Sequence, residues 1–114
     1  MPADDPIFSS LDGFEERLTE HFIGREGVAK KKAFGRNALT VNNKIFAIYR
    51  LGTLVLKLPV ETGAPLLESG EATQFEPAPG RAMKEWFVFG PEVDEERLTE
   101  LAEQAFEFVL SLQD

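Results

Sequence analysis

The chain has no cysteine, and only one histidine, one tryptophan and one tyrosine among its 114 residues. Without cysteine there is no disulfide framework, no thiolate zinc site and no thiol redox role. No apolar run approaches the ~20 residues that a membrane-spanning helix needs. The opening Met1-Pro2-Ala3-Asp4-Asp5-Pro6 lacks the basic start and apolar stretch of a secretory signal. The expectation is a soluble cytoplasmic protein. Positive charge is scarce as well: 12 Lys and Arg stand against 20 Asp and Glu, a formal net charge of −8. That balance disfavours duplex DNA, whose nonspecific affinity comes mainly from phosphate neutralisation.

What is present argues for a packed domain. A hydrophobic fraction of 43% with ten Phe excludes a disordered chain. The length fits one domain, residues 1–114 with an ordered core of about 8–112, and roughly two-thirds of the unfolded surface can be buried. Charge is sorted along the chain. From Arg25 to Leu58 eight basic residues oppose one acid, a segment of +7, while four bases and nineteen acids make the remainder −15. The basic segment reads as β-sheet and the acidic remainder mostly as helix.

Phe8, Leu11, Phe14, Leu18 and Phe22 recur at spacings of three and four, one face of a helix. Asp5-Pro6 and Asp12 with Glu15 are alternative starts, and a helix over about 10–22 is expected, ended by Gly24 and Gly27. The period then changes to two. Val28–Phe34, Asn37–Val41, Lys44–Arg50 and Thr53–Leu58 read as strands of an antiparallel meander with short turns at Gly35, Asn42-Asn43 and Leu51-Gly52. Pro59 starts a short helix with Leu66 and Leu67 facing inward, ending at Gly70. Thr73–Glu76 is a brief strand and Pro77–Gly80 a loop. Lys84–Phe89 is a strongly apolar strand, and Asp94 caps a last helix that buries Leu98, Leu101, Ala105, Phe108, Val109 and Leu112. The fold class that follows is α+β: a mainly antiparallel sheet of five or six strands with the N- and C-terminal helices packed on one face.

Several segments, taken in order, resemble the TfoX N-terminal domain (Sxy-like) family. They are Lys31-Lys32-Ala33-Phe34-Gly35, Val41-Asn42-Asn43-Lys44-Ile45-Phe46-Ala47, Leu54-Val55-Leu56-Lys57-Leu58-Pro59 and Gly80-Arg81-Ala82-Met83-Lys84-Glu85-Trp86-Phe87-Val88, followed by the closing amphipathic helix. The likeness covers roughly residues 8 to 112. The MmcQ/YjbR-like proteins are similar in their order of elements. The family is named for regulators of competence development, in which this domain precedes a separate carboxy-terminal one; with Asp114 as the last residue, a stand-alone domain is expected. Arg36 stands where the family often has a second glycine. The resemblance carries over no catalytic residue.

Four constellations remain. Lys31, Lys32, Arg36, Lys44, Arg50, Lys57, Arg81 and Lys84 are a candidate patch for a small anion, a single-stranded nucleic acid or an acidic partner. The competing reading is that strand lysines point to water and keep sheet edges unpaired. Trp86, Phe87 and Phe89 lie in a strand apolar on both parities, which is either covered by the 70–82 segment or meets a partner, and they are the candidate strand of a homodimer. The acids Asp4, Asp5, Asp12, Glu15, Glu16 and Glu20 resemble the acidic ridge of frataxin-like proteins and suit hard cations, against the simpler reading of a solvated helix face. His21 reads as a surface histidine near a helix end. Ser9, Ser10, Ser69 and Ser111 lie in no nucleophile context, and the glycines make no phosphate loop. The expectation is therefore no catalytic residue, no metal and no cofactor. The function expected is a non-enzymatic binding or regulatory module acting on a protein partner or on itself, with anion or single-strand binding as the alternative and metal on the acidic helix as a remote one.

Overall fold

The structure, a computed structural model, describes residues 13–33, 35–50, 52–76, 80 and 82–113. In chain order the elements are α1 (Phe14–Phe22), β1 (Val28–Ala33), β2 (Arg36–Val41), β3 (Lys44–Arg50), β4 (Thr53–Lys57), α2 (Val60–Ser69), β5 (Ala72–Phe75), β6 (Met83–Phe89) and α3 (Glu95–Ser111). The six strands form one sheet in the order β1-β2-β3-β4-β6-β5. Every pairing is antiparallel. The α+β class and the helices on one sheet face are as the period changes imply.

That face holds the main core. Phe14, Leu18 and Phe22 of α1, Leu66 of α2, and Leu98, Leu101, Ala102, Ala105, Phe106 and Val109 of α3 pack on Leu39, Val41, Phe46, Tyr49, Leu54, Leu56, Phe87 and Phe89. At its centre the rings of Phe22, Phe46 and Phe106 meet pairwise, with centroids 5.1 to 5.6 Å apart. Each such ring, fully buried, contributes on the order of 1.5–3 kcal/mol from burial, and edge-on pairing adds to it. No helix among the described residues is long and apolar enough to cross a membrane.

A β-bulge sets which residues reach this core. Leu39 pairs with Ala47 but Thr40 pairs with Ile45, so Phe46 is an extra residue on β3. The extra residue rephases the strand. Phe46 joins Ala47 in the main core, and Ile45 turns to the opposite side of the sheet. A second irregularity lies in β6, where Gln74 faces Phe87 but Phe75 faces Met83. The Gln74 side-chain amide donates to the carbonyls of Met83, at 2.7 Å, and Trp86, at 3.0 Å, satisfying groups the broken ladder leaves.

Three local expectations are corrected. Gly13 is not inside α1; at φ +82° it is the N-cap, in the left-handed region, so α1 begins at Phe14. Leu67 is 36% exposed while Leu66 is buried, because the inward position next to Leu66 on α2 is Gly63, one turn back. A Cβ on Gly63 would lie 2.0 Å from Cζ of Phe87, so the backbone of α2 rests directly on that ring. On α3, Leu112 is exposed and Phe108 half-buried, since the helix ends at Ser111 and its buried stripe runs through Ala102 and Phe106 instead. Asp94 does cap α3, its carboxylate accepting from the Arg97 amide at 2.9 Å. The Asp5-Pro6 start, Phe8 and Leu11 lie outside the described residues.

Candidate functional site

The meander places the turn between β1 and β2 at the same end of the sheet as the turn between β3 and β4. Gly35 and Gly52 mark these turns, both at positive φ. Between them and the start of α1 lies a cleft of about 370 Å³ lined by Phe14, Glu15, Lys32, Gly35, Arg36, Asn37, Tyr49, Arg50, Gly52, Thr53, Leu54, Phe89 and Leu98. Its floor is the edge of the main core, and its walls carry three exposed cations, Lys32, Arg36 and Arg50. Among the described residues none of the three is ion-paired to a carboxylate. Glu15, the acid in the wall, is held by the Asn37 side-chain amide at 2.6 Å. The Tyr49 hydroxyl meets Thr19 Oγ1 at 3.2 Å. Burial pushes the phenol well above its ordinary range, against the Thr19 contact and aided by Glu15 and Glu16, so Tyr49 stays neutral and serves as wall.

The sheet face away from the helices is the second surface. Ala38, Ile48, Val55 and Phe75 form a small buried cluster there, flanked by half-buried Ala33, Ile45, Met83, Trp86 and Val88. Among the described residues, none from a helix belongs to it. Two cations lie across its aromatic members: the Arg50 guanidinium is 5.3 Å from the Phe75 ring centroid and the Lys57 ammonium 5.6 Å from that of Trp86. Their alkyl stems shield apolar surface while the charges stay in water. Lys57 also reaches Glu85, at 3.9 Å. Arg50 thus borders both surfaces.

The seven described residues of the basic set do not make one patch. Register puts Lys31 opposite Ala38, Arg36 opposite Ala33, Arg50 opposite Thr53 and Lys57 opposite Trp86, all on the second face. Lys32 pairs with Asn37 and Lys44 with Val41, on the helix-side parity. Lys84 is exposed in the irregular part of β6, and Arg81 lies outside the described residues. The period of two forces this split. Of the three candidate dimer residues, Phe87 and Phe89 are 1% and 0% exposed under the helices, and β6 lies inside the sheet between β4 and β5. Only Trp86 of that set is on the second face. Sequence reasoning gives Asn37, Tyr49 and Thr53 no functional role and Leu98 only a place in the core; the two glycine turns, which a meander must bring to one end, are the signal.

The acidic residues are occupied differently. Arg25 and His21 converge on Glu103: the guanidinium makes two bonds, of 2.6 and 3.0 Å, and His21 Nε2 lies 2.5 Å from Oε2. Arg17 meets Glu95 through two bonds of 2.7 Å, and Arg97 reaches Glu71 at 3.3 Å. The hydrogen bond from Arg25 holds the Glu103 carboxyl below the usual range, with His21 assisting, and Arg17 does the same for Glu95. His21 is thus a bridging residue of the α1–α3 seam. Among the described residues no three His, Asp or Glu side chains are placed to hold a metal ion; Asp4, Asp5 and Asp12 lie outside them.

The family model described as the TfoX N-terminal domain matches residues 20–109, most of the chain. The chain belongs to the TfoX N-terminal domain family. The match spans the whole meander, β5, β6 and nearly all of α3, so the second face and every lining residue of the cleft except Phe14 and Glu15 lie within it. No curated protein matches the sequence.

Proposed function

We propose that this TfoX N-terminal domain is a non-enzymatic binding module that takes an acidic protein partner on the second face of its sheet. The observation that carries this reading is the apolar row of Phe75, Val55 and Trp86 with Arg50 and Lys57 laid over its aromatic members. A partner presenting carboxylates around an apolar centre draws the two cations outward and inherits the surface they shield. Hydroxyl and imidazole groups have structural duties, which supports a role without catalysis: Ser69 Oγ donates to the Leu66 carbonyl, Ser111 Oγ to that of Phe108, and His21 is bound to Glu103. Single-stranded nucleic acid fits less well, because a base stacking on Trp86 must first displace Lys57. A symmetric homodimer through this face sets Lys31, Arg36, Arg50 and Lys57 against their own copies, so the partner favoured is a different protein.

The test is affinity capture with the wild-type domain, followed by titration of the captured partner against K57E and W86A. Loss of about tenfold or more in affinity for both variants is expected, since desolvated aromatic and charged anchors dominate interfaces. Equal affinity for these variants, with loss for a helix-surface variant such as E100K, moves the interface to the acidic side. Light scattering that finds a dimer dissociated by W86A replaces the foreign partner with a second copy. An anisotropy change on fluorescent single strands, abolished by K57E, replaces it with nucleic acid.

A further inference from the structure

We infer that the cleft between the Gly35 and Gly52 turns is a binding site for a small, multiply charged anion of the phosphate class. This goes beyond the protein-binding reading and uses the turn end of the sheet, with Arg50 common to both surfaces. The chain carries eight more acids than bases, and Arg17, Arg25, Lys57 and Arg97 all have carboxylate partners. Lys32, Arg36 and Arg50 have none among the described residues, although they line one concavity. Cations collected without counter-charge on a protein of opposite sign make a local positive well, in which a small anion is concentrated.

The chemistry of the walls narrows the class. The Arg36 guanidinium offers a planar fork that matches phosphate oxygens in pairs, and Lys32 adds a compact point charge, while Arg50, whose guanidinium lies over the Phe75 ring, adds charge at the border of the two surfaces. The Asn37 and Thr53 side chains supply neutral polar groups at the same wall. One carboxylate, Glu15, is tied to Asn37 and leaves the lining with a surplus of two positive charges. A monoanion cannot balance that surplus; a pyrophosphate or a phosphorylated small molecule can. The cleft volume, about 370 Å³, lies at the small end of ligand pockets, which range over roughly 300–1,000 Å³. The floor of Phe14, Leu54 and Leu98 is buried and apolar, so it offers the cations no counter-charge.

The experiment is calorimetric titration of the purified protein with inorganic pyrophosphate at low ionic strength, with citrate as a carboxylate probe of similar charge. Saturable binding of pyrophosphate, weakening as salt is added, is expected. The double variant K32S/R36S should weaken it about tenfold or more, the loss of two charge-assisted contacts. K57S, which touches only the second face, should change it less than about twofold by the same arithmetic. Melting curves of both variants, matching wild type without ligand, show that the fold is kept. No saturable heat with pyrophosphate, or binding that K32S/R36S leaves intact, overturns the inference. Binding of citrate as tight as pyrophosphate overturns the phosphate class and makes the site one for polycarboxylates. Because K57E and W86A decide the protein interface, failure here leaves that reading standing, and failure there leaves this one.

Discussion

Along the seam between α1 and α3 every arginine has its carboxylate: Arg17 holds Glu95, and Arg25 with His21 holds Glu103. At the Gly35–Gly52 cleft, Lys32, Arg36 and Arg50 stand together with no such partner among the described residues. The seam lies over aromatic core, with the Arg25 guanidinium 4.6 Å from the Phe22 ring centroid and 5.0 Å from that of Phe106. Its charges therefore clamp two helices distant in sequence. The cleft charges join elements that the sheet ladder already holds. The difference separates charge used for folding from charge left for a ligand, and each half can be tested by removing it.

The largest effect is expected at the ring beneath the seam. Phe22 is fully buried and touches Phe46 and Phe106, so F22A removes the ring, leaves a cavity and frees the Arg25 stem. A loss of about 3–5 kcal/mol in chemical denaturation is expected. A loss under about 1 kcal/mol would show that the seam is not anchored there, well below the usual cost of such a cavity. Gly63 tests the same core from the other helix. In G63A the new methyl group meets the buried Phe87 ring, and overpacking of about 1–3 kcal/mol is expected.

The charges of the seam come next. Glu103 and Glu95 both have carboxyl groups held below the ordinary 4.5 in the folded state. A depressed folded value means stability that is present above pH 4.5 and lost as pH falls through the folded value. Denaturant midpoints of the wild type should therefore fall on acidification below that point, and E103Q should flatten the fall. The side chain of Glu103 is 35% exposed, so solvent screening limits its contribution at neutral pH to on the order of 0.5–1 kcal/mol. An acid limb of the same steepness in E103Q would locate the titrating group elsewhere.

Much of this molecule is legible from its residues. The change of period after α1 gives β1 to β4 nearly to the residue, and Asp94 announces α3. The hidden part is phase and order. Nothing local marks Phe46 as an extra residue, yet that bulge decides that Phe46 and Ile45 lie on opposite faces. Nor does β6 state that it enters between β4 and β5, which buries Phe87 and Phe89 under helices and leaves Trp86 outside. The cleft was partly visible: Lys32, Arg36 and Arg50 are all in the basic set and flank the two glycine turns that the meander brings to one end, but register sets Lys32 on the helix side and Arg36 and Arg50 on the other.

The smallest effect on stability is expected at the cleft itself, and that smallness is the point of the comparison. K32S/R36S removes two exposed cations with no carboxylate partner among the described residues. No ion pair is lost, no described ring is uncovered, and the like charge of Arg50 is relieved. Exposed substitutions of this kind move stability by within about 0.5 kcal/mol, and here the sign at low salt should be a slight gain. Added salt should erase the gain, because it screens the repulsion that the variant removes. Urea midpoints of wild type and variant, measured at low and high ionic strength, decide the matter. A gain that shrinks with salt marks the cleft as charge held at a cost to the fold. A loss of more than about 1 kcal/mol would mean that Lys32 or Arg36 is bound into the structure like the arginines of the seam, and the contrast between the two regions would fall.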